Sequence, residues 1–183
     1  MNDTQSHALT TERLLLRRWR DEDRLPFQRI NADPRVMEFM PRLLTAERSD
    51  AMIVRIEEHF ERHGFGLFAV EERTNAQFIG YVGLMIPSFQ APFMPAVEIG
   101  WRLAAEYWGR GLATEAARAV LHYGLDNLAL DSVVSFAVPQ NLRSLRVMEK
   151  IGMKHNPKED FDHPKMPDGH PLRRHVLYRI GRK

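Results

Sequence analysis

No cysteine occurs among the 183 residues, which excludes a disulfide framework and a thiol nucleophile. No apolar run approaches the length of a membrane-spanning helix. The polar start Met1-Asn2-Asp3-Thr4-Gln5-Ser6-His7 holds no apolar signal core. A cytoplasmic protein without membrane association is therefore expected. Charge of one sign is also scarce. Lys and Arg number 26 against 24 Asp and Glu, a net charge of +2. The cations at Arg13, Arg17, Arg18, Arg20, Arg173 and Arg174 are interspersed with acids, which reads as a solvated surface and not as a nucleic-acid footprint. Neither an internal repeat nor a low-complexity linker divides the chain. Its 44% hydrophobic and 27% charged content suits one globular domain spanning 1–183, with an ample core.

Hydrophobic periodicity orders that domain as mixed α and β. Leu14-Leu15-Leu16 reads as a buried strand closed by Asp21-Glu22-Asp23. A short helix over Phe27–Ala32 should stop before Pro34, because proline disfavours helical geometry at Asp33. Thr45 is placed to cap a longer helix carrying Ala51, Ile53, Val54, Ile56 and Phe60, with Gly64 as its stop. Strands are expected over 66–71 and 78–85, over 97–103, over 132–138 and over 173–180. Between them fall a helix over 111–128 and another opening at Asn141 and closing at Gly152. The segments 87–95 and 156–171 read as loops.

The most informative stretch is Trp108-Gly109-Arg110-Gly111-Leu112-Ala113-Thr114-Glu115. Two glycines one residue apart open onto an alanine-rich amphipathic helix, directly after a strand. Glycine permits torsion angles closed to other residues and close approach of a ligand to the main chain. The helix start adds unpaired N–H groups and the positive end of the macrodipole, a cradle for a pyrophosphate. Arg110, unfavourable in a first turn on dipole grounds, becomes reasonable if bound phosphates supply the negative charge.

This stretch resembles the acetyl-CoA pyrophosphate loop of the GNAT superfamily of N-acetyltransferases, Gln/Arg-x-x-Gly-x-Gly/Ala. Trp108, Gly111 and Ala113 stand at its first, fourth and sixth positions, with tryptophan departing from the usual Gln or Arg. Tryptophan there is similar to the branch containing the ribosomal-protein N-terminal acetyltransferases. The resemblance implies an α/β (α+β) fold with a mostly antiparallel sheet splayed between its fourth and fifth strands and helices on both faces. It further implies acetyl-CoA as co-substrate and a primary amine as acceptor, a peptide or protein N-terminus among the candidates. No metal is implied, and a homodimer is left open. Pantetheine would lie along the main chain of Trp101, Arg102 and Leu103, with the diphosphate over Trp108 to Thr114.

Asn141 opens a helix after Val138-Pro139, so it reads as an N-cap, and in the resemblance the same residue contacts pantetheine. Many members carry a tyrosine seven residues later as the acid for the departing thiolate. Here that position is Met148, which has no proton to give. The ribosomal-protein branch instead carries a serine three residues after the asparagine, and Ser144 stands there.

Glu98 is the candidate base: it could take the amine proton, fix the acceptor's ammonium as a counter-charge, or form a structural salt bridge. Glu115 near the helix start reads as structural, complementing the dipole or pairing an arginine. The tail residues Glu159, Asp160, Asp162, His163, His170 and His175 match no metal spacing. They read instead as one wall of the acceptor pocket, with Phe89, Phe93 and Met94 either lining the opposite wall or packing as a satellite core. Two other classes compete. A dinucleotide oxidoreductase would need glycine or alanine at Thr114 and more alternating units. A non-catalytic acyl-CoA sensor would keep the cradle and lack turnover.

Overall fold

The computed structural model describes residues 8–182. The polar start read above lies outside the described residues. Strands β1 (Leu9–Thr10) and β2 (Leu14–Arg17) lead into helices α1 (Arg24–Ala32) and α2 (Ala46–His63). Then come β3 (Leu67–Glu72), β4 (Gln77–Met85), β5 (Glu98–Leu103), α3 (Leu112–His122), β6 (Ser132–Ala137) and α4 (Leu142–Lys150). The short strands β7 (Lys154–His155) and β8 (Phe161–Asp162) precede β9 (Arg174–Gly181).

Local chemistry explains the boundaries. Leu14 and Leu16 are fully buried, so the leucine run forms a core strand. Helix α1 ends at Ala32, two residues before Pro34. Thr45 Oγ1 accepts from the Arg48 N–H at 3.4 Å, and Gly64 closes α2 in the left-handed region. The expected helix over 111–128 is α-helical to His122 and continues through a wider turn over Tyr123–Asn127. Residues 156–171 are less irregular than expected. Phe161, only 6% exposed, anchors β8 against β9 in the register Phe161↔His175.

The sheet runs β1-β2-β3-β4-β5-β6-β9-β7, with β8 pairing β9, and every pair is antiparallel except β5 with β6. Helix α1 meets one face of β4, Phe27 lying 6.0 Å from the Tyr81 ring. The turn after α3 lies on the other face, Gly124 directly over the Leu84 side chain. A buried ion cluster ties β2 to β3: Arg17 donates to Asp23 at 2.7 and 2.8 Å and to Glu71 at 2.8 Å.

One feature of the sheet positions the site. Strand β5 pairs with β4 along its full length, from Gly80↔Leu103 to Met85↔Glu98. With β6 it shares a single register pair, Glu98↔Val134, secured by the Val134 N–H on Val97 O at 2.9 Å. Beyond that point the two parallel strands part. These are the fourth and fifth of the six strands expected from sequence, renumbered because β1 and β2 are separate short strands.

Candidate active site

Where the strands part, β5 leaves hydrogen-bonding groups open. The Ala104 N–H donates to Ile79 O at 2.9 Å. Antiparallel alternation then turns the main chain of Gly100 and Arg102 toward β4, and that of Trp101 and Leu103 toward the gap. Arg102, expected to bind a donor through its main chain, therefore spends those groups in the ladder. Leu103 O is taken by the Trp108 indole N–H at 2.9 Å, which ties the glycine loop to the strand end. Arg143 lies 4.5 Å over the Trp108 ring, fixing the indole from α4.

After Trp108 the chain turns through Gly109 and Gly111, at φ of 74° and 78°. An L side chain in that region costs about 1–2 kcal/mol, so both positions call for glycine. Gly111 is the N-cap of α3 and supplies no side-chain cap. The first-turn N–H groups of Leu112, Ala113 and Thr114 are thus left unbonded by protein, where the macrodipole favours an anion. They face a cavity of about 300 Å³ also lined by Trp101, Leu103, Gly109, Asn141 and Ser144.

Arg110 departs from its expected place. Its guanidinium pairs with the Glu72 carboxylate and lies 5.3 Å from the Tyr107 ring centroid, off the cavity walls. It precedes the N-cap, so it is not in the first helical turn. The reason is local: Glu72 is 6% exposed and needs a cation. Glu115 has the structural role expected. It accepts from Thr11 Oγ1 at 2.6 Å and from Arg13 N and Nε at 2.9 and 2.7 Å, while Arg13 Nη1 holds Arg110 O at 2.9 Å. Burial pushes the Glu115 carboxyl up, but these donors overcome it and hold it below its usual range.

A second cavity, about 360 Å³, opens on the other side of the gap. It shares Phe39, Met40, Trp101, Arg102, Asn141 and Ser144 with the first. Asn141 Oδ1 accepts the Ser144 N–H at 3.2 Å, the N-cap bond read from sequence, and the Asn141 Nδ2 group has no partner among the described residues. Ser144 Oγ likewise has no partner among the described residues, and it faces both cavities. Met148, read from sequence as unable to serve as the acid, is 1% exposed and packs in the core.

Glu98 lines the second cavity and makes no hydrogen bond or ion pair with any described residue, so the salt-bridge alternative has no partner in the structure. Burial without a compensating donor pushes its carboxyl up to about 8. His163 and His175 line the opposite wall with ring centroids 5.2 Å apart, and burial lowers both toward the neutral form. Lys165 from the same segment also reaches this cavity. Of the tail residues singled out from sequence, only His163 and His175 reach this cavity; Glu159, Asp160 and Asp162 pair with Arg179, His155 and the arginines at 173 and 174 instead, and His170 is off its walls.

Phe89, Phe93 and Met94 do not form the opposite wall. Phe89 and Phe93 pack with Phe136 and Phe161 over Val134 and Leu177 in a small second core, and none of the three reaches the cavity walls. A residue missed from sequence is Tyr81. It sits directly across from Arg102 and lines the cavity, and its hydroxyl makes no hydrogen bond among the described residues. Only the β4–β5 register could have revealed it.

A mostly antiparallel sheet parted at its parallel pair, with an uncapped helix start at the opening, is the architecture of an acetyltransferase. The chain belongs to the GNAT acetyltransferase domain family, whose model matches residues 13–154. It is similar to the uncharacterized N-acetyltransferase YnaD of Bacillus subtilis (strain 168), 30% identical over 163 residues, covering 88% of this chain and 89% of that protein. The crystal structure of a GNAT-family acetyltransferase from Bacillus anthracis is 26% identical with a TM-score of 0.78, covering 95% of this chain and 98% of that one. RimJ of Mycobacterium smegmatis, solved in complex with CoA-disulfide, shares the fold at 20% identity and TM-score 0.72, covering 92% of this chain and 81% of that one. The protein is accordingly an enzyme of the N-acetyltransferase class.

Proposed function

We propose that this enzyme moves an acetyl group from acetyl-CoA to a primary amine by direct attack within a ternary complex, with no residue of the chain acetylated. The observation that carries the reading is the meeting of two cavities at one wall. One holds an open strand edge and an uncapped helix start, the other an unpaired carboxylate, and Ser144 and Asn141 border both. Main-chain groups of Trp101 and Leu103 and the Asn141 Nδ2 group would hold the amide arm of the donor. N–H groups from Gly109 to Thr114 would hold its diphosphate, Arg110 contributing main chain alone and Trp108 fixing the loop.

Bound there, the donor supplies an acyl group activated as a thioester. Glu98 takes a proton from the acceptor nitrogen as the C–N bond forms. Ser144 Oγ–H donates to the sulfur as the C–S bond breaks. Holding both reactants at one wall supplies alignment, a large share of such catalysis. The ribosomal-protein branch suggests a peptide or protein N-terminal amine, a free amino acid presents the same nucleophile, and a cytoplasmic setting belongs to the proposal.

Ser144→Ala tests the assignment. Thiol release with an amine panel should slow by about 10-fold to 100-fold in kcat. Calorimetric affinity for CoA should stay within about twofold, because Ser144 makes no bond that shapes the cradle except through its main chain. Equal turnover of variant and wild type contradicts the role of Ser144. Binding of acetyl-CoA without turnover of any amine by the wild type identifies a sensor instead.

A further inference from the structure

The acceptor side of the site carries an arrangement of charge that constrains the substrate beyond its amine. This inference rests on the amine-acetylating reading above and concerns which amine. Glu98, Gly100 and Arg102 point to one face of β5, alternate residues along the strand. Gly100 leaves the space between them open. The nearest atom to a side chain built there is Glu98 Oε1, 3.8 Å from the Cβ position. The carboxylate therefore leans along the strand toward Arg102, yet the two form no ion pair.

Arg102 is unusual among the partly buried arginines in having no carboxylate partner among the described residues. Its Nη1 donates to Asn31 Oδ1 at 2.6 Å, and its guanidinium lies 5.5 Å from the Tyr81 ring centroid. Among the described residues its Nε, which is buried, has no hydrogen-bond partner, and Nη2 makes no bond. Nε–H and Nη2–H form the side edge of the guanidinium, the fork that matches the two oxygens of a carboxylate. A buried donor left without a partner is costly, which argues for an occupant.

The remaining lining agrees. Among the described residues Glu98 is the single carboxylate on the cavity, against Arg102 and Lys165. Polycationic acceptors such as polyamines need several anions and meet net positive charge here instead. Phe136, Met166 and Leu172 supply an apolar part of the lining, beside His163 and His175.

We propose that the acceptor is a free amino acid or a close analogue, its carboxylate held by the Arg102 fork, its amine turned to Glu98 and its apolar side chain against Phe136, Met166 and Leu172. The reaction is unchanged: the nitrogen gains the acetyl group, and the carboxylate stays ionised as the handle. A peptide N-terminus, whose first carboxyl is an amide, lacks that handle.

The test compares leucine, methionine and phenylalanine with their carboxamides, with dipeptides opening on the same residues, and with spermidine, following thiol release. Wild type should favour the free acid over the carboxamide by roughly 30-fold in kcat/KM, mostly through KM. In Arg102→Met that preference should fall to within about threefold, and Arg102→Lys should lie between, keeping charge but losing the fork. The wild-type acid-to-amide comparison decides the matter even if a variant folds poorly. Carboxamides, dipeptides or spermidine turned over as well as the free acids overturn this inference and leave the acetyl-transfer reading standing. No turnover of any amine, in protein that binds acetyl-CoA, overturns both.

Discussion

Glu98→Gln is expected to lower kcat/KM by about 100-fold to 1,000-fold while leaving affinity for CoA within about twofold. Glutamine keeps the size and polarity of the side chain but cannot take a proton. Glu98 is also expected to set the pH profile. Its carboxyl is pushed up to about 8 by burial, so at neutral pH most of the free enzyme carries it protonated and unable to act as base. Wild-type kcat/KM should rise with pH and level off above about 8, and that limb should be absent from the residual activity of Glu98→Gln.

The same shift has a stability consequence of defined sign. A carboxyl whose folded pKa lies above its unfolded value of 4.5 favours the native state while protonated. It increasingly disfavours that state as pH rises from 4.5 to about 8. Each unit is worth at most about 1.4 kcal/mol, less where the cavity admits water. Glu98→Gln should therefore melt above wild type at pH 8–9 and close to it near pH 4. Lost activity together with gained alkaline stability separates a functional carboxylate from a structural one. A variant that is both less active and less stable at high pH contradicts this account of Glu98.

The second large effect is expected at the glycine loop. Gly111→Val should weaken CoA binding by about 10-fold to 100-fold, read by calorimetry, while costing only about 1–2 kcal/mol of folding stability. Space is not the obstacle, since a Cβ at Gly111 meets only Arg13 Nη2, at an ordinary 3.7 Å. The obstacle is the torsion. Valine at φ of 78° is a steric outlier, and relief moves the chain out of the left-handed region. The N–H groups of Leu112, Ala113 and Thr114 then lose their common aim. Loss of affinity far exceeding loss of stability is what a cradle built from main chain predicts. An unchanged affinity in a folded variant places the diphosphate elsewhere.

Much of this site was legible before any coordinates, because its parts are local. The spacing of Gly109 and Gly111 against the alanine-rich turn, the N-cap at Asn141 with Ser144 on the next turn, and the strand leading into the loop are all patterns of neighbours in sequence. The splay between β5 and β6 came with the family resemblance, and its position agreed. What stayed hidden depends on partners far apart along the chain. Arg110 looked like a phosphate ligand because Glu72 joins it only through the fold. Arg102 looked like strand main chain because its relation to Asn31 and Tyr81 needs both the β4–β5 register and the seat of α1. Phe89 and Phe93 looked like pocket lining because Phe161, the residue that draws them into a second core, sat in a segment read as loop.

A crystal grown with CoA would test the core of the account. Pantetheine amides are expected on the main chain of Trp101 and Leu103 within the parted strands, the diphosphate on the N–H groups from Gly109 to Thr114, and the sulfur beside Ser144 Oγ. Electron density for the diphosphate on another surface, with β5 and β6 drawn together and the gap closed by the protein's own side chains, would contradict it.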